Sequence, residues 1–107
     1  MQRIEVNLPD GLEPIGSLWT DDDKSILSED MLEVMLPNGV LVWVGWYGEC
    51  DPNGMYRIVA SIGLDELFRC ERRIPDQAGQ MLENVVELFM NHQPILTWEP
   101  GDDGQVL

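Results

Sequence analysis

Between Met31 and Ile74 apolar and polar residues alternate in short runs broken by turn-forming residues, the pattern of strands joined by hairpins. "MLEVML" (Met31–Leu36) leads into Asn38-Gly39, a dipeptide that tolerates the positive φ of a two-residue type I′ turn. "VLVWVGWYGE" (Val40–Glu49) ends at Asp51-Pro52-Asn53-Gly54, where proline presets the first turn position and glycine closes a second hairpin. "MYRIVASI" (Met55–Ile62) follows. After "GLDE" comes "LFRCERRI" (Leu67–Ile74), which alternates as a strand does. A helix over Asp65–Arg73, capped by Asp65, is the competing reading of that piece.

The period then changes to that of a helix. Over residues 76–92, Ala78, Met81, Leu82, Val85, Leu88 and Phe89 form an apolar stripe, while Gln77, Gln80, Glu83, Asn84 and Glu87 face water. Asp76 reads as the N-cap and Pro94 as the stop. The predicted fold is α+β: a four-stranded antiparallel β-meander packed on one face by a C-terminal amphipathic helix. The 107 residues form one domain. It divides into an acidic, weakly structured N-terminal segment (1–30), the meander (31–74), the helix (76–92) and a tail (93–107). Alternation at Ile4, Val6 and Leu8 leaves room for the N-terminal segment to add a strand.

Turn centres set register, and register sets which side chains share a face. A two-residue turn at Asn38-Gly39 places Leu36 opposite Leu41 and Val34 opposite Trp43. The second turn places Trp43 opposite Ile62 and Tyr47 opposite Ile58; a loop from Gly63 to Leu67 places Ile62 opposite Phe68 and Ala60 opposite Cys70. Leu32, Val34, Leu41, Trp43, Tyr47, Ile58 and Phe68 then face the helix. The opposite face carries Val42, Val44, Trp46 and Val59 at its centre, with Arg57, Arg69 and Arg73 gathered toward the last strand. A central strand apolar on both sides has two surfaces to bury. The second surface would be covered by the N-terminal segment through Leu12, Ile15, Leu18 and Trp19, by a second copy of the chain, or by another protein anchored on Trp46.

Charge narrows the choice of partner. Twenty acidic residues against six basic ones give a net charge of −14. Such a field repels phosphate backbones and anionic lipid, so neither nucleic acid nor a membrane is expected as a partner. A basic protein complements it. Asp21, Asp22, Asp23, Glu29 and Asp30 form an acidic segment suited to steering such a partner. No apolar run approaches the roughly 20 residues that span a bilayer, and "MQRIEVNLPDG" lacks a signal-peptide core, which points to the cytoplasm. Cys50 and Cys70 are expected as free thiols, since the predicted register holds them far beyond bridging distance.

Motifs for chemistry are absent. The single histidine, His92, falls at the helix end, where imidazole suits the last carbonyls. The chain has no Cys-x-x-Cys pair, G-x-S-x-G, GK[ST] or G-x-G-x-x-G. "DDDKSILSEDML", tested as a calcium loop from Asp21, has Ile26 where glycine belongs and Leu32 where glutamate belongs. No cofactor or metal is expected. The function expected is a non-enzymatic, acidic protein-binding module: an inhibitor or neutraliser of a basic protein such as a nuclease, or a homo-oligomer subunit. Its contact residues are expected to be Val42, Val44, Trp46, Arg57, Arg69 and Arg73 together with the acidic segment. The alternative is a small-ligand carrier or enzyme with a pocket between sheet and helix, formed by Trp43, Tyr47 and Tyr56 with Arg72 as an anion anchor.

Overall fold

A computed structural model describes residues 1–22, 27, 30–48 and 53–91. Among the described residues, seven strands and one helix follow in chain order: β1 (Gln2–Ile4), β2 (Ile15–Gly16), β3 (Leu18–Thr20), β4 (Leu32–Met35), β5 (Leu41–Tyr47), β6 (Met55–Ile62), β7 (Asp65–Arg72) and α1 (Pro75–Met90). The four strands of the meander, β4 to β7, are antiparallel neighbours, and β2 adds a short fifth strand beside β4. The helix lies across one face of this sheet, touching β5, β6 and β7. The class is α+β, with Leu67–Arg72 a strand and not a helix.

The first hairpin departs from the expected turn. Its loop has three residues, Pro37-Asn38-Gly39: the Leu36 amide donates to the Val40 carbonyl at 2.8 Å, and the Gly39 amide to the Leu36 carbonyl at 3.0 Å. Gly39, at φ 90°, takes the left-handed position that turns the chain into β5. One residue more in the loop moves the register by one, which reverses the strand. Val34 faces Val42, and Glu33 faces Trp43.

The second connection also departs from the expected register, by three residues: Trp43 pairs with Val59 instead of Ile62 and Tyr47 with Met55 instead of Ile58, and this odd shift cancels the first, so that β6 keeps its expected face. The Asp51-Pro52 half of the predicted turn lies outside the described residues. The last hairpin is tighter than predicted: Ile62 pairs with Asp65 across Gly63-Leu64. Leu67 is then an extra residue on β7, and this bulge restores Ala60 opposite Phe68. That register lies two residues from the expected one, so the faces of β6, and of β7 from Phe68 onward, are as predicted, while the bulged Leu67 packs against the core instead of the far side. Only β5 is upside down relative to the sequence reading.

The core therefore contains Val40, Val42, Val44 and Trp46 from β5 with Leu32, Val34 and Leu36 from the β4 side, all buried. Trp46 meets Tyr56 edge-on, ring centroids 5.0 Å apart at 82°, a favoured aromatic geometry. The helix contributes Ala78, Gly79, Leu82, Val85, Val86 and Phe89. Leu88, assigned to the stripe from sequence, is 51% exposed, and Val86 takes its place. The cap differs too. Ile74 is the N-cap, without a side-chain hydrogen bond, and Pro75 occupies the first turn ahead of Asp76; the fixed φ of proline starts the helix one residue earlier than Asp76 would.

The described N-terminal residues do not cross the far side of the sheet. β1 and β3 pair as a separate two-stranded ribbon beside the helix. Leu18 is fully buried there, whereas Ile15 is 70% exposed. Gly79 permits the approach: a Cβ at that position would lie 3.3 Å from Ile4 Cγ2 and 3.6 Å from Leu18 Cδ2. The Tyr56 hydroxyl donates to the Trp19 carbonyl at 2.8 Å, and the Asn7 amide donates to Glu83 Oε2 at 2.8 Å, so sheet and helix both hold the ribbon.

The hairpin turn and the helix end are joined by one side chain. Asn38 Nδ2 donates to the Phe89 carbonyl at 2.8 Å while its Oδ1 accepts from the Val40 amide at 3.1 Å. Replacing Asn38 with Ala should cost about 1–2 kcal/mol for the two bonds, read as a fall of about 4–8 °C in Tm per kcal/mol. Asn38→Asp should not rescue it, since the donor to the helix is the part lost. Burial pushes the Tyr56 phenol up from its ordinary value. The unfolded chain therefore releases this proton first, and the stabilisation is complete below about pH 10 and lost as pH climbs through the raised native value. Chemical denaturation from pH 8 to 11 should show this loss in the native chain and a smaller one in Tyr56→Phe.

Candidate surface on the outer face of the sheet

With the helix and the ribbon on one side, the side chains of the other alternation define the outer face. They are Met35 and Glu33 on β4, Leu41, Trp43 and Tyr47 on β5, Met55, Arg57, Val59 and Ser61 on β6, and Glu66, Arg69 and Glu71 on β7. Gly45 separates Trp43 from Tyr47 on β5. Without a side chain there, the two rings lean toward one another, with centroids 6.5 Å apart and planes at 33°. Gly45 itself is buried, and so is Val59, which pairs with Trp43 on one side and Arg69 on the other. Trp43, Tyr47 and Leu41 remain half-buried and Met35 is 58% exposed. No element among the described residues covers this aromatic and aliphatic strip.

Ion pairs border it toward β7. Arg57 places its guanidinium 3.9 Å from the centroid of the Tyr47 ring and pairs with Glu71 at 2.8 Å. A cation over a phenol face that also holds a carboxylate is fixed in orientation. Arg69 pairs with Glu66 at 2.7 Å, a contact exposed enough to add little to stability. Toward β4 the border is acidic. A depression of about 290 Å³ between β2 and β4 is lined by Trp43, Glu33, Asp30, Met31 and Ile15 among others. A depression lined by an indole and two carboxylates suits a cationic side chain better than a neutral or anionic one.

The residues expected to contact a partner are divided by this arrangement. Arg57 and Arg69 stand on the outer face, and Arg73 is exposed just past β7. Val42, Val44 and Trp46 are 0%, 0% and 1% exposed on the helix side, where no partner reaches them; the three-residue turn is the cause. Trp43 and Tyr47 take the outward positions instead. The same reversal dismantles the pocket expected between sheet and helix, because Trp43 and Tyr47 face away from Tyr56. Arg72 lies at the strand edge, donating to the Glu71 carbonyl at 2.7 Å.

Asp21 pairs with the Met1 ammonium at 2.9 Å, Asp22 is exposed beside it, and Asp30 is exposed next to β4. Asp23 and Glu29 lie outside the described residues, as do Cys50 and His92. Cys70 is a free, half-buried thiol whose pKa burial pushes up, the opposite of an activated nucleophile. Among the described residues no three His, Cys, Asp or Glu side chains are grouped to hold a metal ion, and no helix is long and apolar enough to cross a membrane. The chain matches no protein-family model, no curated protein and no solved structure.

The two tryptophans of β5 should behave oppositely on truncation. Trp46→Ala, emptying the core, should cost about 3–5 kcal/mol in urea denaturation, whereas Trp43→Ala on the outer face should cost less than about 1 kcal/mol.

Proposed function

We propose that this protein is a non-enzymatic binding module that engages a basic protein on the outer face of its sheet, with Trp43 and Tyr47 as anchors. The observation that carries this reading is the half-exposed strip of Trp43, Tyr47, Leu41 and Met35 on a face that no described element covers. Exposed apolar area of this kind, bordered by charged side chains, is characteristic of protein interfaces. Aromatic residues held by neighbours lose little conformational freedom on docking, which suits them as energetic centres.

The charge supplies the sign of the partner. A net charge of −14 accelerates encounter with a cationic surface and opposes an anionic one. Asp30 and Glu33, next to Trp43, receive Lys or Arg from the partner at the acidic border. Asp22 and the remainder of the acidic segment act at longer range, through the summed field. Neutralising a basic enzyme by covering its active surface would use the same aromatic face.

The test is retention of lysate proteins on immobilised chain at low and high salt, compared with the Trp43→Ala variant. Retained proteins should be basic and should elute as salt rises from about 50 mM to several hundred mM, where screening reaches contact distances. Trp43→Ala should lower their retention at least tenfold while keeping the native circular dichroism. Equal retention by the variant, or retention of acidic proteins alone, would overturn the reading.

A further inference from the structure

Among the described residues β7 is the longest uncovered edge of the sheet, eight residues with no described strand beyond it. Such an edge presents unpaired amides and carbonyls to any strand that fits. The opposite edge is only the two-residue β2. We infer that β7 pairs antiparallel with β7 of a second copy of this chain, joining two five-stranded sheets into one.

The charge pattern selects this occupant. Of the six basic residues in the chain, four (Arg57, Arg69, Arg72 and Arg73) sit on or just beyond β6 and β7. Along the edge, Asp65, Glu66 and Glu71 are balanced by Arg69, Arg72 and Arg73. Two chains that repel each other elsewhere meet here with the least opposition.

Symmetry then restricts the register. A two-fold axis perpendicular to the sheet keeps every side chain on its own face, so only residues of like alternation stand opposite one another. An axis through Phe68 sets the bulged Leu67 against Arg69 of the partner, so the irregular part of the strand enters the ladder next to its centre. One through Arg69 sets arginine against arginine. One through Glu71 sets glutamate against glutamate and Arg69 against Arg73. An axis through Leu67 falls on the bulged residue of β7, where the ladder is irregular. The axis through Cys70 alone has neither fault: Arg69 lies opposite the partner's Glu71 in both directions, Phe68 opposite Arg72, and Cys70 opposite its own copy. Glu71 already holds Arg57 on the outer face, so each side of the junction becomes an Arg-Glu-Arg row. Opposite cross-strand pairs of this kind add stability, and like charges directly opposite subtract it.

The pairing also brings two thiols within reach. Residues directly opposite in an antiparallel ladder have Cα atoms about 4.5–5.5 Å apart, inside the range a disulfide accepts. The experiment therefore uses the full chain with Cys50→Ser, leaving Cys70 as its one thiol. Sedimentation across micromolar to millimolar concentration should give a reversible dimer, and copper–phenanthroline should convert it to a covalent dimer through Cys70. Arg69→Glu, which sets two acidic pairs across the axis, should raise the dimer Kd at least tenfold with unchanged circular dichroism. A monomer at every concentration overturns the inference, and so does a dimer insensitive to Arg69→Glu and not cross-linked through Cys70. Amide exchange separates the remaining case: β7 amides protected in a monomer would assign the edge to another segment of the same chain.

Discussion

The alternation of β5 governs everything else in this molecule, and three residues set it. Pro37-Asn38-Gly39 joins β4 to β5 with Gly39 in the left-handed region. That loop length puts Val40, Val42, Val44 and Trp46 under the helix. A loop shorter by one would exchange them for Leu41, Trp43 and Tyr47, because side chains along a strand alternate without compromise. Asn38 then ties this same turn to the last helical carbonyls, so the element that fixes the strand also fixes where the helix ends. Local chain geometry and tertiary packing are specified at one place.

The result is a core with one side. Trp46 and Tyr56 form its aromatic centre, and the helix and the β1–β3 ribbon share the work of sealing it. Both covers lie on the same face, and the bond from Tyr56 to the Trp19 carbonyl holds the ribbon there. Gly79 is the matching concession on the helix side, a position kept small so that Ile4 and Leu18 can close in. Of the described N-terminal strands, β1 and β3 lie beside the helix and β2 at the sheet's edge, so none of them reaches the far face.

Much of this was legible in the sequence. The four strands of the meander, the helix and its polar side, and the assignment of β6 and β7 to their faces follow from alternation and from turn residues. The central strand was not legible, for a definite physical reason: it is apolar at nearly every position from Val40 to Tyr47, so hydrophobicity offers no vote on which alternation faces inward. Only the turn decides, and Asn-Gly serves both a two-residue turn and the last two positions of a three-residue one. The proline before it was the available hint, since Pro37 starts a turn readily and cannot donate to the ladder. The candidate surface inherited the ambiguity. Arg57 and Arg69 were placed on the outer face correctly because β6 and β7 were, while the aromatic side chains found there are Trp43 and Tyr47 and not Trp46. The short β2 strand and the N-terminal ribbon left little trace, because strands of two or three residues are too brief to establish a period.

The long free edge of β7 has a consequence for handling the protein in acid. At neutrality the net charge of −14 holds molecules apart, so exposed sheet edges are not extended by arbitrary collisions. As the medium approaches the isoelectric point near 4.1, the carboxylates take up protons and that deterrent fades. Unsatisfied amides at the sheet margins then meet neutral neighbours, and the natural outcome is open-ended stacking: turbidity, and with time fibrous precipitate.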